Sequence, residues 1–312
     1  MYGCVRLLAI AHDYGLDALA VPWHYALIFA VLSFADDYVF LDEIGMSEAV
    51  CEMWVPHALE PGKIYAPRIG PLQLWLVHRG DELHLASQVI DDTDAGAESA
   101  PDQPAEADAT AWRRWICGAE PIQIALEPRL PDRPVIVRPA MPVAVLPGEE
   151  VAFFVSIPIR VAVLCVRDGG KRRDVCEEPS VLLSNSWFGP PIEGELCYAV
   201  KTRARRHLDE LRRDAHLAVC PVIIQNTDSR SLTFERFCLR TQALGIYAGE
   251  HHLWTNRGTL VYRGHDNPTN ITFDTNPPPY DSTKRLLTVP REPQKHSRMM
   301  RAFGTFKSIT GF

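Results

Sequence analysis

The chain has 312 residues, a formal charge of −7 and 46% hydrophobic residues, enough for about two domains with a packed core. Its 25 prolines disfavour long helices, because proline is excluded from helix interiors and central strands; short strands joined by tight loops fit better. The eight cysteines are scattered with no CxxC pair. That pattern excludes a disulfide-stapled miniprotein and predicts free, largely buried thiols in a reducing cytosol.

The charge is uneven. Residues 1–52 hold eight acids and one base, Arg6, and residues 91–109 hold seven acids and no base. The rest of the chain keeps 24 acids against 31 bases, so the folded body is expected to be basic. Residues 18–35 carry no formal charge and just reach the length of a spanning helix. Pro22 and His24 weaken that reading, and Asp13 and Asp17 spoil a secretory signal. Met53 opens MWVPHALEPGK, which reads as a second protein start. Residues 1–52 are therefore expected to be an extension outside the core, and not necessarily native.

From residue 63 the pattern turns to strands. Leu72, Leu74 and Leu76 alternate with Trp75, Arg79-Gly80-Asp81 supplies a turn, and Leu83 and Leu85 resume the alternation; this predicts a β-hairpin within residues 53–90. Residues 91–110 lack aromatic and branched aliphatic side chains and read as an acidic disordered loop. A short helix is expected over 110–117. Apolar runs split by Pro139, Pro142, Pro147-Gly148 and Pro158 predict short strands, with a hairpin-type turn at Pro147-Gly148. Asp168-Gly169-Gly170-Lys171 is a further turn, across which Cys165 and Cys176 could meet.

The same alternation recurs at Leu232, Phe234, Phe237 and Leu239. The expected fold is mainly β: two β-sandwich-like units, residues 111–206 and 207–275, with a few short helices. Residues 276–312 form a proline-rich basic tail. In it SRMMRAFGTFKSITGF has the spacing of an amphipathic helix, with Met299, Phe303, Phe306 and Ile309 as its docking face.

The block LLSNSWFGPPIEGELCYAVKTRARR (182–206) holds the strongest site signal. Read as a strand, it aligns Lys201, Arg203 and Arg205 about 7 Å apart on one face, followed by Arg206. Such a row repels itself unless acids or an anionic ligand face it. Glu193, Glu195 or acids of a neighbouring strand could pair with it, and Trp187 lies close by in the same block. Leu208 and Leu211 fall at helical spacing, so a short helix is expected after Arg206.

This block, with IGPLQLWL (69–76), RPAMPVAVLPG (138–148), FFVSIPIRV (153–161) and the closing AFGTFKSITGF, resembles the archaeal and bacterial family known as domain of unknown function 432. The likeness covers residues 53–312. It implies no activity and no catalytic residues.

No phosphate loop, dinucleotide fingerprint, zinc-protease or nucleophile-elbow motif occurs. No metal site or cofactor is therefore expected, and His251, His252 and His265 read as surface residues. Aromatic and basic residues do not interleave as in RNA-binding modules, so specific nucleic-acid recognition is not expected. The leading expectation is a cytoplasmic, non-enzymatic interaction or regulatory module whose basic faces meet an anionic ligand or protein partner. The alternatives are an enzyme or a sugar- or phosphate-binding protein with a site near Trp187–Arg206, and a membrane-surface protein.

Overall fold

In the computed structural model, residues 53–90, 112–167, 169–192, 194–264, 269–280, 285–292, 298–300 and 303–304 are described. All belong to the unit Val50–Phe312. The first strands are β1 (His57–Leu59), β2 (Ile64–Tyr65), β3 (Arg68–Ile69), β4 (Leu72–Arg79), β5 (Glu82–Val89) and β6 (Arg113–Ile116). Next come β7 (Ile122–Arg129), β8 (Val135–Pro139), β9 (Val143–Val145), β10 (Glu150–Pro158), β11 (Arg160–Val166), β12 (Arg172–Pro179), β13 (Ser184–Phe188) and β14 (Glu195–Ala204). Then follow β15 (Leu217–Asn226), β16 (Leu232–Phe234), β17 (Arg236–Leu239), β18 (Ile246–Ala248), β19 (Leu253–Thr255) and β20 (Gly258–Tyr262). The series ends with β21 (Thr269–Phe273), β22 (Arg285–Thr288), β23 (Arg298–Met300) and β24 (Phe303–Gly304). Among the described residues no helix reaches seven residues, so the fold is mainly β, in several sheets.

The predicted hairpin forms over its full length: β4 and β5 pair antiparallel from Leu72↔Val89 to Arg79↔Glu82. Gly80 closes it at φ 64°, in the left-handed region that glycine enters without penalty. Trp75 is as buried as the leucines around it, so both faces of β4 are covered. β6 adds to β5 through Glu82↔Ile116 to Leu85↔Arg113. The helix expected over 110–117 is thus corrected to an edge strand, because β5 offers a free row of backbone partners that a few residues of weak helical propensity cannot match.

The glycine turn after Val166 joins β11 to β12, but Cys165 faces Arg173 and Cys176 faces Val163. The two cysteines are out of register and both remain free. The Pro147-Gly148 turn exists, with Gly148 at φ 78°, yet it makes no hairpin. β9 leaves to pair with β16, and β10 pairs with β15 over nine residue pairs, Glu150↔Gln225 to Pro158↔Leu217. Strands from 111–206 and from 207–275 therefore share sheets.

β15 is the spine of an eight-stranded sheet, with β10, β19 and β20 all hydrogen-bonded to it. A five-stranded sheet runs in the order β13-β14-β8-β17-β24. Its inner face adds Val135, Val137, Phe237 and Leu239 to the main core. There the rings of Phe153, Phe234 and Phe237 lie 6.0–6.3 Å apart.

The chain after Arg206 makes only a 3-10 turn at Leu208–Glu210, with Leu208 and Leu211 packed against the cluster of Phe154, Val219, Tyr247 and Trp254. The tail also differs from expectation. Where it is described it is extended: β23 pairs with β21 and β24 pairs with β17. The amphipathic helix is thus corrected to two short strands, since sheet edges satisfy the tail's backbone groups. Met299 and Phe303 lie on those strands, while Phe306 and Ile309 fall outside the described residues. No described helix is long and apolar enough to cross a membrane, and residues 18–35 also fall outside the described set.

Candidate functional site

The outer face of the five-stranded sheet collects the unusual chemistry. On β14, Tyr198, Val200 and Ala204 turn toward the main core, so the intervening odd positions turn outward. Cys197 is buried in a small outer cluster with Ile136, Phe188 and Cys238, whereas Lys201 and Arg203 are exposed. β8 runs parallel to β14 and places Arg138 directly beside Arg203; Arg138 is also exposed. Among the described residues, Arg138, Lys201 and Arg203 form no ion pair. Arg236, one strand further, lies with its guanidinium 5.6 Å from the Phe188 ring centre.

The predicted site is redistributed. Arg205 sits 3.9 Å from Glu210, and its backbone bridges Phe154. Arg206 turns its guanidinium over the Phe153 ring at 5.6 Å. Trp187 pairs with Leu196, on the strand face opposite Lys201. It is 48% exposed, and its indole Nε1 donates to the Pro190 carbonyl at 3.0 Å. Gly194 is required there, because a Cβ would lie 2.3 Å from that indole nitrogen. Trp187 therefore does not join the cationic row. Glu193 falls outside the described residues.

Glu195 does not neutralise the row either. Arg240 donates to both of its carboxylate oxygens, at 2.5 and 2.6 Å, in the bidentate geometry that suits guanidinium and carboxylate. Burial opposes the Arg240 charge most strongly, but the hydrogen bonds to Glu195 together with the electrostatic attraction of Cys238, Glu195 and Cys197 hold its pKa above the ordinary value. Beside this pair, the Cys197 and Cys238 sulfurs are 3.8 Å apart, and Cys238 Sγ is 3.8 Å from Glu195 Oε1. The shared hydrogen bond pulls the Cys197 thiol below its usual range and, with burial, pushes Cys238 well above it. Burial pushes Cys220, elsewhere in the core, up to about 12.

Sequence reading missed Arg138, Cys238 and Arg240. Arg138 joins the row only through the parallel pairing of β8 with β14. Cys197 and Cys238 lie 41 residues apart, with no spacing signal to link them. The alternation of β8 could have shown Arg138 facing outward, but not which strand would be its neighbour.

A cavity of about 460 Å³ lies elsewhere, lined by Leu59, Pro121, Ile122, Val166 and the glycines of the β11–β12 turn. None of the candidate site residues Trp187, Glu195, Cys197, Lys201, Arg203, Cys238 and Arg240 lines it.

A family model whose description is "Protein of unknown function (DUF432)" matches residues 53–307, the span that carries these strands. No curated protein and no solved structure matches the chain.

Proposed function

We propose, from the premise that the chain belongs to the family Protein of unknown function (DUF432), that this protein is a binding module. The outer face of its five-stranded sheet takes an anionic ligand or an acidic segment of a protein partner. The carrying observation is that Lys201, Arg203 and Arg138 stand together, exposed, on neighbouring strands, while the described acid on that face is held by Arg240. Like charges on adjacent strands cost stability. A folded protein keeps such an arrangement most readily where an anion offsets the repulsion, and the resulting field also speeds the approach of an acidic partner.

The test uses the full chain and immobilised heparin as a polyanion probe. Lys201→Glu with Arg203→Glu should weaken retention by roughly tenfold or more. Reversing Lys171 and Arg173 on the β11–β12 hairpin of another sheet makes the same charge change and should have less effect. Equal losses from both double variants would mean that net charge, not this face, sets binding. Flotation with anionic vesicles separates a lipid surface from a soluble partner: co-flotation that depends on Lys201 and Arg203 would assign the face to membranes.

A further inference from the structure

At the end of β14 away from the cationic row, the carboxylate of Glu195 and the sulfurs of Cys197 and Cys238 lie within 4.8 Å of one another. The two sulfurs are 3.8 Å apart. A tetrahedral zinc with Zn–S bonds of about 2.3 Å holds two thiolates about 3.8 Å apart, so the sulfurs already stand on a tetrahedron's edge. The 3.8 Å from Cys238 Sγ to Glu195 Oε1 is close to the sulfur–oxygen edge of the same figure. Two packed thiols alone would also sit near this separation. Convergence of a carboxylate oxygen on the same point is what simple packing does not require.

A disulfide is the poorer use of the pair. β14 and β17 lie on either side of β8, two interstrand spacings or about 9.5 Å apart. That exceeds the roughly 6.8 Å that a disulfide's Cα atoms tolerate. A metal ion bridges the gap without moving either strand.

Charge balance favours a divalent ion. With both thiols protonated, Glu195 and Arg240 cancel. If Zn²⁺ enters and both thiols release their protons to solvent, two thiolates, one carboxylate, one guanidinium and the ion again sum to zero. A buried site can make that exchange without gaining net charge. Arg240 need not leave, because each carboxylate oxygen has two lone pairs. It can hold Glu195 from outside, as hydrogen-bonded partners orient metal ligands elsewhere. Glu195 is 30% exposed along its side chain, which gives an ion a path from solvent.

We infer that Glu195, Cys197 and Cys238 form a zinc site, with Arg240 as the positioning residue for the carboxylate and an exogenous ligand completing four-coordination. Thiolate-rich donor sets with one carboxylate suit zinc over magnesium or calcium. This inference does not rest on the anion-binding reading.

The experiment titrates the reduced, full-length protein with Zn²⁺ and with Co²⁺ as a spectroscopic probe. One Zn²⁺ per chain is expected, with two protons released and a Co²⁺–thiolate charge-transfer band sized for two sulfurs. Cys197→Ser and Cys238→Ser should each weaken binding by roughly a hundredfold and shrink the band. Arg240→Lys should weaken binding by about tenfold to a hundredfold while leaving the band's shape intact. Cys220→Ser and the Lys201→Glu/Arg203→Glu double variant should change neither. If the cysteine variants fail to fold, the wild-type Co²⁺ spectrum decides: a band without sulfur character overturns the site. Undiminished Zn²⁺ binding in folded Cys238→Ser, or no stoichiometric binding by wild type, also overturns it.

Discussion

Val137 and Arg138 are neighbours on β8, Ala204 and Arg203 on β14, Phe237 and Cys238 on β17, yet each pair divides between the two faces of one sheet. Inward, Val137, Ala204 and Phe237 join the main core, and the Thr202 hydroxyl on that face is satisfied by donating to the Ser156 carbonyl. Outward, the same strands carry a small buried patch with two thiols, a guanidinium–carboxylate pair and exposed cations. Strand periodicity makes this separation possible, because a change at one position need not disturb the other face. Stability and binding can therefore be altered separately here, and each substitution below measures how complete that separation is.

The largest effect is expected on the inner face. Phe237 is fully buried against the rings of Phe153 and Phe234. Phe237→Ala should destabilise by about 3–5 kcal/mol, through lost transfer energy and the cavity left behind. Chemical denaturation would show this as a lower midpoint with little change in slope. A loss under about 1 kcal/mol would mean that the three-ring cluster is not the core's centre.

On the outer face, Arg240→Ala strands the Glu195 carboxylate against two thiols. Arg240 is 9% exposed along its side chain, and breaking a fully buried pair costs about 3–5 kcal/mol. The part-exposed Glu195 can recover some hydration, so about 2–3 kcal/mol is expected. Replacing both, Glu195→Gln with Arg240→Met, should restore much of the loss. The double-mutant cycle checks this; simple additivity would show that the two side chains do not act as a pair.

Much of the inner face was legible in the sequence, and little of the outer one. Leu232 and Phe234 alternate on β16, Phe237 and Leu239 on β17, and all four are buried; the three-residue step from Phe234 to Phe237 divides the single strand read in the sequence into two, which pair in different sheets. Likewise, the leucines of β4 and β5 with the turn at Gly80 define a hairpin locally. The outward placement of Lys201 and Arg203 followed from the same period of two. What alternation cannot give is the neighbouring strand. Arg138 reaches Arg203 because β8 runs parallel to β14, and Cys238 reaches Cys197 across an intervening strand. The tail shows the opposite failure. Its helical spacing is real, but β21 and β17 offer unpaired edges, and pairing with them outweighs a propensity that Gly304 already weakens by about 1 kcal/mol.

The smallest stability effect, and the sharpest test of the division, is expected from the cations. Arg203 lies beside Arg138 in the parallel ladder and about 7 Å from Lys201 along its own strand. Removing one charge relieves repulsion and uncovers no core surface. Arg203→Gln should leave stability unchanged or raise it by a few tenths of a kcal/mol. Because exposed charges are screened by salt, the gain should be larger near 0.01 M ionic strength, where the Debye length is about 30 Å, than at 1 M, where it is about 3 Å. Denaturation midpoints at the two salt concentrations measure this directly. A loss above about 1 kcal/mol, independent of salt, would mean that Arg203 supports the fold through its packing, and that the outer face is not free to serve binding alone.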